Sequence, residues 1–142
     1  MYSDRKMDVN TFEIWIAEAD NDFEMAEILR KKKKYNGAVF HYVQASEKSA
    51  KALLYLFNLQ PWGHSLLNLL NECEKLGIVV KPEFKKIASL FENHYINSRY
   101  PDTSPTASPK LAYNKNKTNE IRDQAKLIVN FVKQEKSARV KP

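Results

Sequence analysis

The stretch that most constrains the fold is residues 36–58, NGAVFHYVQASEKSAKALLYLFN. Apolar side chains recur there three and four positions apart, which predicts one long helix with a single buried face. That face comprises Val39, Tyr42, Val43, Ser46, Ala50, Leu53, Leu54 and Phe57. A second line with helical neighbour spacing is entirely polar and comprises Gln44, Glu47, Lys48 and Lys51. This polar line is either a solvated face or, since the apolar face is complete without it, part of a groove or a dimer contact.

Outward from this stretch, four other segments show helical periodicity. They begin, in order, at the N-caps Asn10 or Thr11, at His64-Ser65, at Pro82 and at the N-cap Thr118. The chain has only 3 glycines, and its prolines fall between the segments. These features predict an all-α protein, an up-and-down antiparallel bundle of about five helices.

The first of these helices has one apolar stripe and a surface rich in acids. The stripe comprises Phe12, Trp15, Ile16, Ala19, Phe23, Ala26 and Leu29. Much of the remaining surface is predicted to consist of Glu13, Glu18, Asp20, Asp22, Glu24 and Glu27.

Domain boundaries follow from changes in composition. Residues 1–9 are an N-terminal extension, residues 10–135 are the bundle, and residues 136–142 are a charged tail that is expected to fray. Within the bundle, residues 98–117 are rich in Pro, Ser, Thr and Asn, and they are predicted to form a long irregular loop. Loops of this length in a small domain are usually functional or mobile.

Composition excludes several classes of protein. The chain has 142 residues, is 43% hydrophobic and fits one domain. No stretch approaches the ~20 apolar residues of a membrane helix, and no signal-peptide run is present. The single cysteine, Cys73, makes neither an internal disulfide nor a zinc site and lies on an apolar stripe, which indicates a core residue. We expect a soluble cytoplasmic protein that has no metal or cofactor and does not contact a membrane.

Charge is unevenly divided along the chain. Residues 1–30 carry 8 acids and 3 bases, whereas residues 31–142 carry 9 acids and 20 bases, for a formal net charge of +6. Such polarity lets one face of a protein attract phosphate or an acidic partner. Lysines that merely solvate helix surfaces would give the same counts, so both interpretations stay open.

Two motifs and their order resemble those of a known family. The polar line Gln44-x-x-Glu47-Lys48-x-x-Lys51 is followed by His64-Ser65-Leu66 and then by the tetrapeptide Arg99-Tyr100-Pro101-Asp102. Together they resemble the HEPN domain over roughly residues 9–135. The resemblance implies a helical bundle, commonly a homodimer with a polar groove between protomers. Many members are metal-independent RNases, often toxins paired with a small nucleotidyltransferase antitoxin, whereas others bind nucleotides or polyanions without catalysis.

The RNase members depend on an arginine followed four to six residues later by a histidine. Here Arg99 is present, but residues 100–109 contain no histidine. His94 precedes Arg99 and lies on an apolar stripe, which favours a packed, hydrogen-bonded role; His64 is interpreted as a cap or a loop contact. His41 has no evident partner. We therefore expect no RNase activity by the usual mechanism of the family.

The leading hypothesis is a non-catalytic protein that binds a nucleotide or RNA phosphate in a dimer groove. Arg99, Lys48 and Lys51 would supply positive charge, and Gln44 and Glu47 would orient the ligand and fix the lysines. Tyr100 and Tyr113 either stack on a base or pin their segment to the bundle.

Alternatives stay open both for Arg99 and for the whole protein. Arg99 fits a structural pair with Asp102 or Glu47 equally well. The whole protein is alternatively an RNase toxin that uses His94 or His64, or a pure interaction module that docks an acidic partner such as a nucleotidyltransferase antitoxin.

Overall fold

The computed structural model describes residues 6–100 and 109–141. Five long helices and one short helix lie within these ranges and no strand does, which confirms the all-α bundle. The helices are α1 (Val9–Lys31), α2 (Tyr35–Leu56), α3 (Leu66–Lys75), α4 (Pro82–Asn97), α5 (Pro109–Ala112) and α6 (Lys115–Arg139).

Helix α2 is the centre of the bundle. It packs against α1, α3, α4, α5 and α6, and every residue of its predicted apolar face is buried. Each large aliphatic or aromatic side chain buried in this way stabilises the fold by roughly 1.5–3 kcal/mol. Alanines at 38, 45 and 52 are also fully buried, so neighbouring helices surround α2 on several sides.

Two helix starts differ from the prediction because other side chains cap them. Helix α1 begins at Val9, where the Asp8 carboxylate accepts a hydrogen bond from the Thr11 backbone at 3.0 Å. Helix α6 begins at Lys115, where the Asn114 side chain accepts from the Lys117 backbone at 2.8 Å. The predicted caps Asn10 or Thr11 and Thr118 therefore lie inside the helices.

The prediction of an irregular loop over residues 98–117 is wrong in part. Residues 109–112 form α5, and residues 115–117 are the first turn of α6; residues 101–108 lie outside the described ranges. Helix α6 also continues to Arg139, into the tail of residues 136–142 that is expected to fray. Its last turns are held by ion pairs, including Lys136 with Glu13 of α1 at 3.2 Å.

The interior contains the single thiol of the chain. Cys73 lies on α3 and is fully buried, as its position on the apolar stripe predicts. Burial raises the pKa of this thiol to about 12, which favours its neutral form. None of the helices within residues 6–100 and 109–141 combines the length and the apolar character of a membrane-spanning segment.

A polar network ties α1, α2 and α6 together. The Glu27 carboxylate accepts hydrogen bonds from the Tyr42 hydroxyl, from Arg30 at 3.1 Å and from Arg122 at 2.7 Å. Burial alone would raise the pKa of Glu27, but these hydrogen bonds and the charge of Arg122 outweigh it and lower the pKa to about 2. The ionised carboxylate therefore stabilises the junction of three helices.

This network predicts a pH-dependent loss of stability. Because the folded pKa of Glu27 lies below its ordinary value of 4.5, the stabilisation is complete above about pH 4.5 and is lost as pH falls through about 2. Glu27→Gln should lower the free energy of unfolding by about 2–3 kcal/mol at neutral pH, measured by urea denaturation. The difference from the wild type should shrink towards about pH 2; a difference that stays constant with pH would contradict this account.

Candidate functional site

The polar line of α2 meets a buried acid from α1. Asp22 is only 3% exposed, and its carboxylate contacts His41 Nδ1 at 2.8 Å and Lys48 Nζ at 2.6 Å. Burying a carboxylate is costly unless it is paired and hydrogen-bonded. His41 and Lys48 of α2 provide that pairing, so this contact also fixes the position of α1 on α2.

A second buried acid lies on α2 itself, directly before Lys48 in the chain. Glu47 is 2% exposed, and its Oε2 contacts His64 Nδ1 at 3.2 Å and Lys51 Nζ at 3.9 Å. Burial raises the pKa of Glu47, and the hydrogen bond from His64 and the charge of Lys51 oppose that shift. Oε1 of Glu47 and Oε1 of Gln44 are buried and have no hydrogen-bond partner among the described residues.

Arg99 lies just after α4 and is surrounded by aromatic rings. Its Cζ atom is 4.4 Å from the ring centroid of Tyr95, 4.8 Å from that of Tyr100 and 4.9 Å from that of Phe40. The residue is exposed, and it forms no ion pair with a carboxylate within residues 6–100 and 109–141. Cation–π contacts of this kind hold a guanidinium in place and leave its N–H edges available as donors.

The two histidine–carboxylate pairs and Arg99 belong to one surface. The His64 ring stacks on Tyr95 at 5.0 Å, and Tyr95 in turn contacts Arg99. The His41 ring contacts Phe40 at 5.2 Å, and Phe40 also contacts Arg99. We call this region the Arg99 surface; it comprises Phe40, His41, His64, Tyr95, Arg99 and Tyr100.

The other predicted site residues make contacts that differ in part from those expected. Lys48 and Lys51 lie beside the Arg99 surface, but each is paired with a buried carboxylate. Glu47 contacts Lys51 as expected and does not contact Arg99. The expected pairing of Arg99 with Asp102 lies outside the described residues.

His94 differs from His41 and His64, which each contact a buried carboxylate. His94 is packed and exchanges a hydrogen bond of 2.8 Å with the Tyr113 hydroxyl, which confirms its structural role and pins Tyr113, only 6% exposed, to α4. His64 neither caps α3 nor contacts a loop: Ser65 is the cap, and His64 contacts Glu47. The prediction that His64 caps a helix or contacts a loop is therefore wrong. The buried carboxylate of Glu47 requires a partner, and His64 provides it.

Asp22 is the site residue that sequence reasoning missed. The sequence pattern predicts it to be one of the surface acids of the first helix, yet it is buried. A signal was present: Asp22 lies three residues after Ala19 and four before Ala26, so it occupies the apolar stripe itself. An acid on a buried stripe indicates a paired carboxylate, and His41 is its partner.

These observations define an all-helical bundle that presents a cationic and aromatic surface between α2 and α4. The family model of the HEPN domain matches residues 12–135. The chain therefore belongs to the HEPN family, as the motif resemblance implied.

Solved structures with the same fold support the assignment. The chain is similar to TT1696 from Thermus thermophilus, with a TM-score of 0.83 and 28% identity over 89% of this chain and 98% of that one. It is also similar to ST0689, an archaeal HEPN homologue, with a TM-score of 0.71 and 29% identity over 87% of this chain and 96% of that one.

A relative of similar length carries a functional name. The chain is 24% identical to a protein of Methanocaldococcus jannaschii named "Putative toxin MJ1304", over 92% of this chain and 91% of that protein.

The packing of His94 predicts an unusual titration. Burial, aided by the charge of Lys117, lowers the pKa of His94 to about 4 from its ordinary value of 6.5. Two-dimensional NMR of the imidazole groups should show one histidine that stays neutral until about pH 4. His94→Gln should remove that resonance, and a resonance of His94 that titrates near 6.5 would contradict the packing described here.

Proposed function

We propose that this HEPN protein binds the phosphate of a nucleotide or of RNA at the Arg99 surface. The observation that carries the proposal is the exposed guanidinium of Arg99, held by three aromatic rings and without a carboxylate partner among the described residues. A guanidinium offers a planar fork of donors that matches phosphate oxygens. An arginine kept only for packing would be expected to pair its N–H edges with an acid.

Neighbouring residues supply further contacts in this proposal. Tyr100 is 53% exposed beside Arg99, so its ring has a free surface on which a base can stack. Lys48 and Lys51 add positive charge at the edge of the site, reduced by their carboxylate partners. In this proposal Gln44 orients the ligand, while the buried carboxylates of Asp22 and Glu47 fix Lys48 and Lys51.

A second candidate function is that of an RNase toxin. The name of the Methanocaldococcus jannaschii relative favours it. The family RNases use a histidine after the arginine, and this sequence has none at residues 100–109. Such an activity therefore requires another imidazole near Arg99. A pure interaction module, with no nucleotide binding, is the outcome if neither ligand nor cleavage is detected.

We also propose that the protein acts as a homodimer and pairs with a small nucleotidyltransferase. Ile96 is 57% exposed at the end of α4, close to Arg99 in the chain, and such a side chain suits a protein contact. The basic charge of residues 31–142 suits an acidic partner.

Isothermal titration calorimetry with ATP and with a short single-stranded RNA tests phosphate binding. Arg99→Ala should weaken binding by about 10–100-fold, because a hydrogen bond to a charged group contributes about 1.5–3 kcal/mol. Affinity should also fall as salt rises. The matched control is Arg139→Ala, which removes another guanidinium that lies over an aromatic ring, 5.5 Å from the Phe57 centroid. The proposal is contradicted if no heat of binding is detected at millimolar ATP or RNA, or if Arg99→Ala and Arg139→Ala lose affinity equally.

Light scattering after size exclusion tests the dimer. The wild type should give twice the chain mass of 16.5 kDa. Ile96→Asp should shift the mass to the monomer, because a charge would be buried in the contact. A wild-type mass of one chain would overturn the dimer without affecting the phosphate site.

A further inference from the structure

Helix α1 has a second apolar line on the side that faces away from the bundle. Asn21 lies in the middle of that line and, at about 100° per residue, half a turn from Phe12, which is 2% exposed in the core. Ile14 and Ile28 lie one heptad before and one heptad after Asn21, and they are 57% and 56% exposed. We call this line the outer stripe of α1; it comprises Ile14, Ala17, Asn21, Met25 and Ile28.

The outer stripe differs from the single apolar residues that are scattered over any protein surface. Its members recur three and four positions apart over about 21 Å of helix, which is the spacing at which one helix packs against another. All of them are exposed except Met25, which is half-buried. Helix α1 already packs on α2 and α6 through its buried face. The outer stripe therefore has the form of a further helix-packing face that the described helices leave exposed.

Two glutamates border the outer stripe, one on each side. Glu18 and Glu24 lie three residues before and after Asn21, which places them about 60° to either side of it around the helix. Both are exposed, and neither carboxylate forms an ion pair or a hydrogen bond with another residue that the structure describes. By contrast, Glu13 of the same helix pairs with Lys136 of α6 at 3.2 Å. The acids that border the stripe are thus available to a partner.

Lysines limit this acidic stretch at its C-terminal end. Lys31 and Lys32 are exposed just beyond the last residue of the outer stripe. Lys126 of α6 lines the same groove as Glu24. The negative charge beside the stripe is therefore concentrated at Glu18, in its N-terminal half.

The two glutamates disfavour a second copy of this chain as the occupant of the stripe. If two outer stripes packed antiparallel about Asn21, Glu18 of each copy would face Glu24 of the other. If they packed parallel, each glutamate would face its own counterpart. Like charges that face each other across a contact are destabilising. The anionic surface of a membrane is disfavoured for the same reason.

We infer that the outer stripe of α1 docks an amphipathic helix of another protein, one with apolar residues at heptad spacing flanked by lysine or arginine. The isoleucines supply the apolar contact, and Glu18 and Glu24 pair with the basic flanks of that helix. Asn21 pairs with a polar side chain of the partner and fixes its register. This surface shares no residue with the Arg99 surface, so the inference does not depend on phosphate binding there.

The test uses the full chain and a synthetic peptide as the probe. The peptide is capped and dye-labelled, has about 16 residues, and carries leucine at heptad positions a and d and lysine at e and g. The chain has a formal net charge of +6, so the protein as a whole repels this peptide, and binding requires a local acidic surface. Fluorescence anisotropy at physiological salt should show saturable binding, and circular dichroism should show that the peptide gains helix as it docks.

Neutral substitutions test the apolar part of the contact. Ile14→Gln/Ile28→Gln should weaken binding about tenfold or more, because two apolar side chains lose their burial while the charge stays the same. The matched control is Val79→Gln, which removes an aliphatic side chain that is 79% exposed before α4 and should leave the affinity within about twofold. Thermal melting confirms that each variant folds.

Charge reversal tests the flanks of the stripe. Glu18→Lys/Glu24→Lys should weaken binding of the lysine peptide about tenfold or more, and it should create binding of a peptide that has glutamate in place of lysine. The matched control is Glu83→Lys/Glu120→Lys, which raises the net charge equally at exposed positions outside α1. This control should change neither result.

The other outcomes each overturn the inference. It fails if the lysine peptide shows no saturable binding at millimolar protein, or if the control variants lose or gain affinity as much as the α1 variants do. A lower mass of Ile14→Gln/Ile28→Gln in light scattering would show that the stripe joins two copies of the chain, which overturns the assignment of the occupant. Binding of ATP or RNA should be the same in the isoleucine variant as in the wild type, so this inference and the proposed function can fail separately.

Discussion

Asp22 and Glu47 place ionisable groups inside a bundle whose interior is otherwise mostly apolar. A carboxylate removed from water must find cationic or hydrogen-bonding partners, because an unpaired buried charge costs several kcal/mol. Asp22 therefore gathers His41 and Lys48, and Glu47 gathers His64 and Lys51. The partners come from α2 and from the turn before α3, so the pairing requirement determines how these elements lie against each other.

The same pairing explains why Arg99 differs from the other cations of this region. The two buried acids already have partners, and Arg99 is held instead by the faces of Phe40, Tyr95 and Tyr100. Aromatic contacts restrain a guanidinium without occupying its donors. A positive group that is both fixed and available is what recognition of phosphate demands, and its position depends on Tyr95, the ring that also carries His64.

The fold could be predicted from periodicity because α2 has a complete apolar stripe, and all of it is buried. Helix ends were less predictable, since Asp8 and Asn114 cap their helices two to four residues before the caps that the sequence predicts. The motif residues of the site were found from the sequence, but their contacts were not. The partner of His41 comes from another helix, and that pairing depends on how two helices pack. The burial of Asp22 could have been predicted, because this acid occupies a position on the apolar stripe of the first helix.

The buried thiol on α3 gives the molecule a built-in reporter. Because the chain has a single cysteine, a thiol-specific label reports on one position, Cys73. Its complete burial means that a reagent reaches it only when α3 opens or the whole bundle unfolds. The rate of labelling would therefore measure how often the native protein opens around Cys73. The motion that it reports is the local opening of α3, the helix that follows His64.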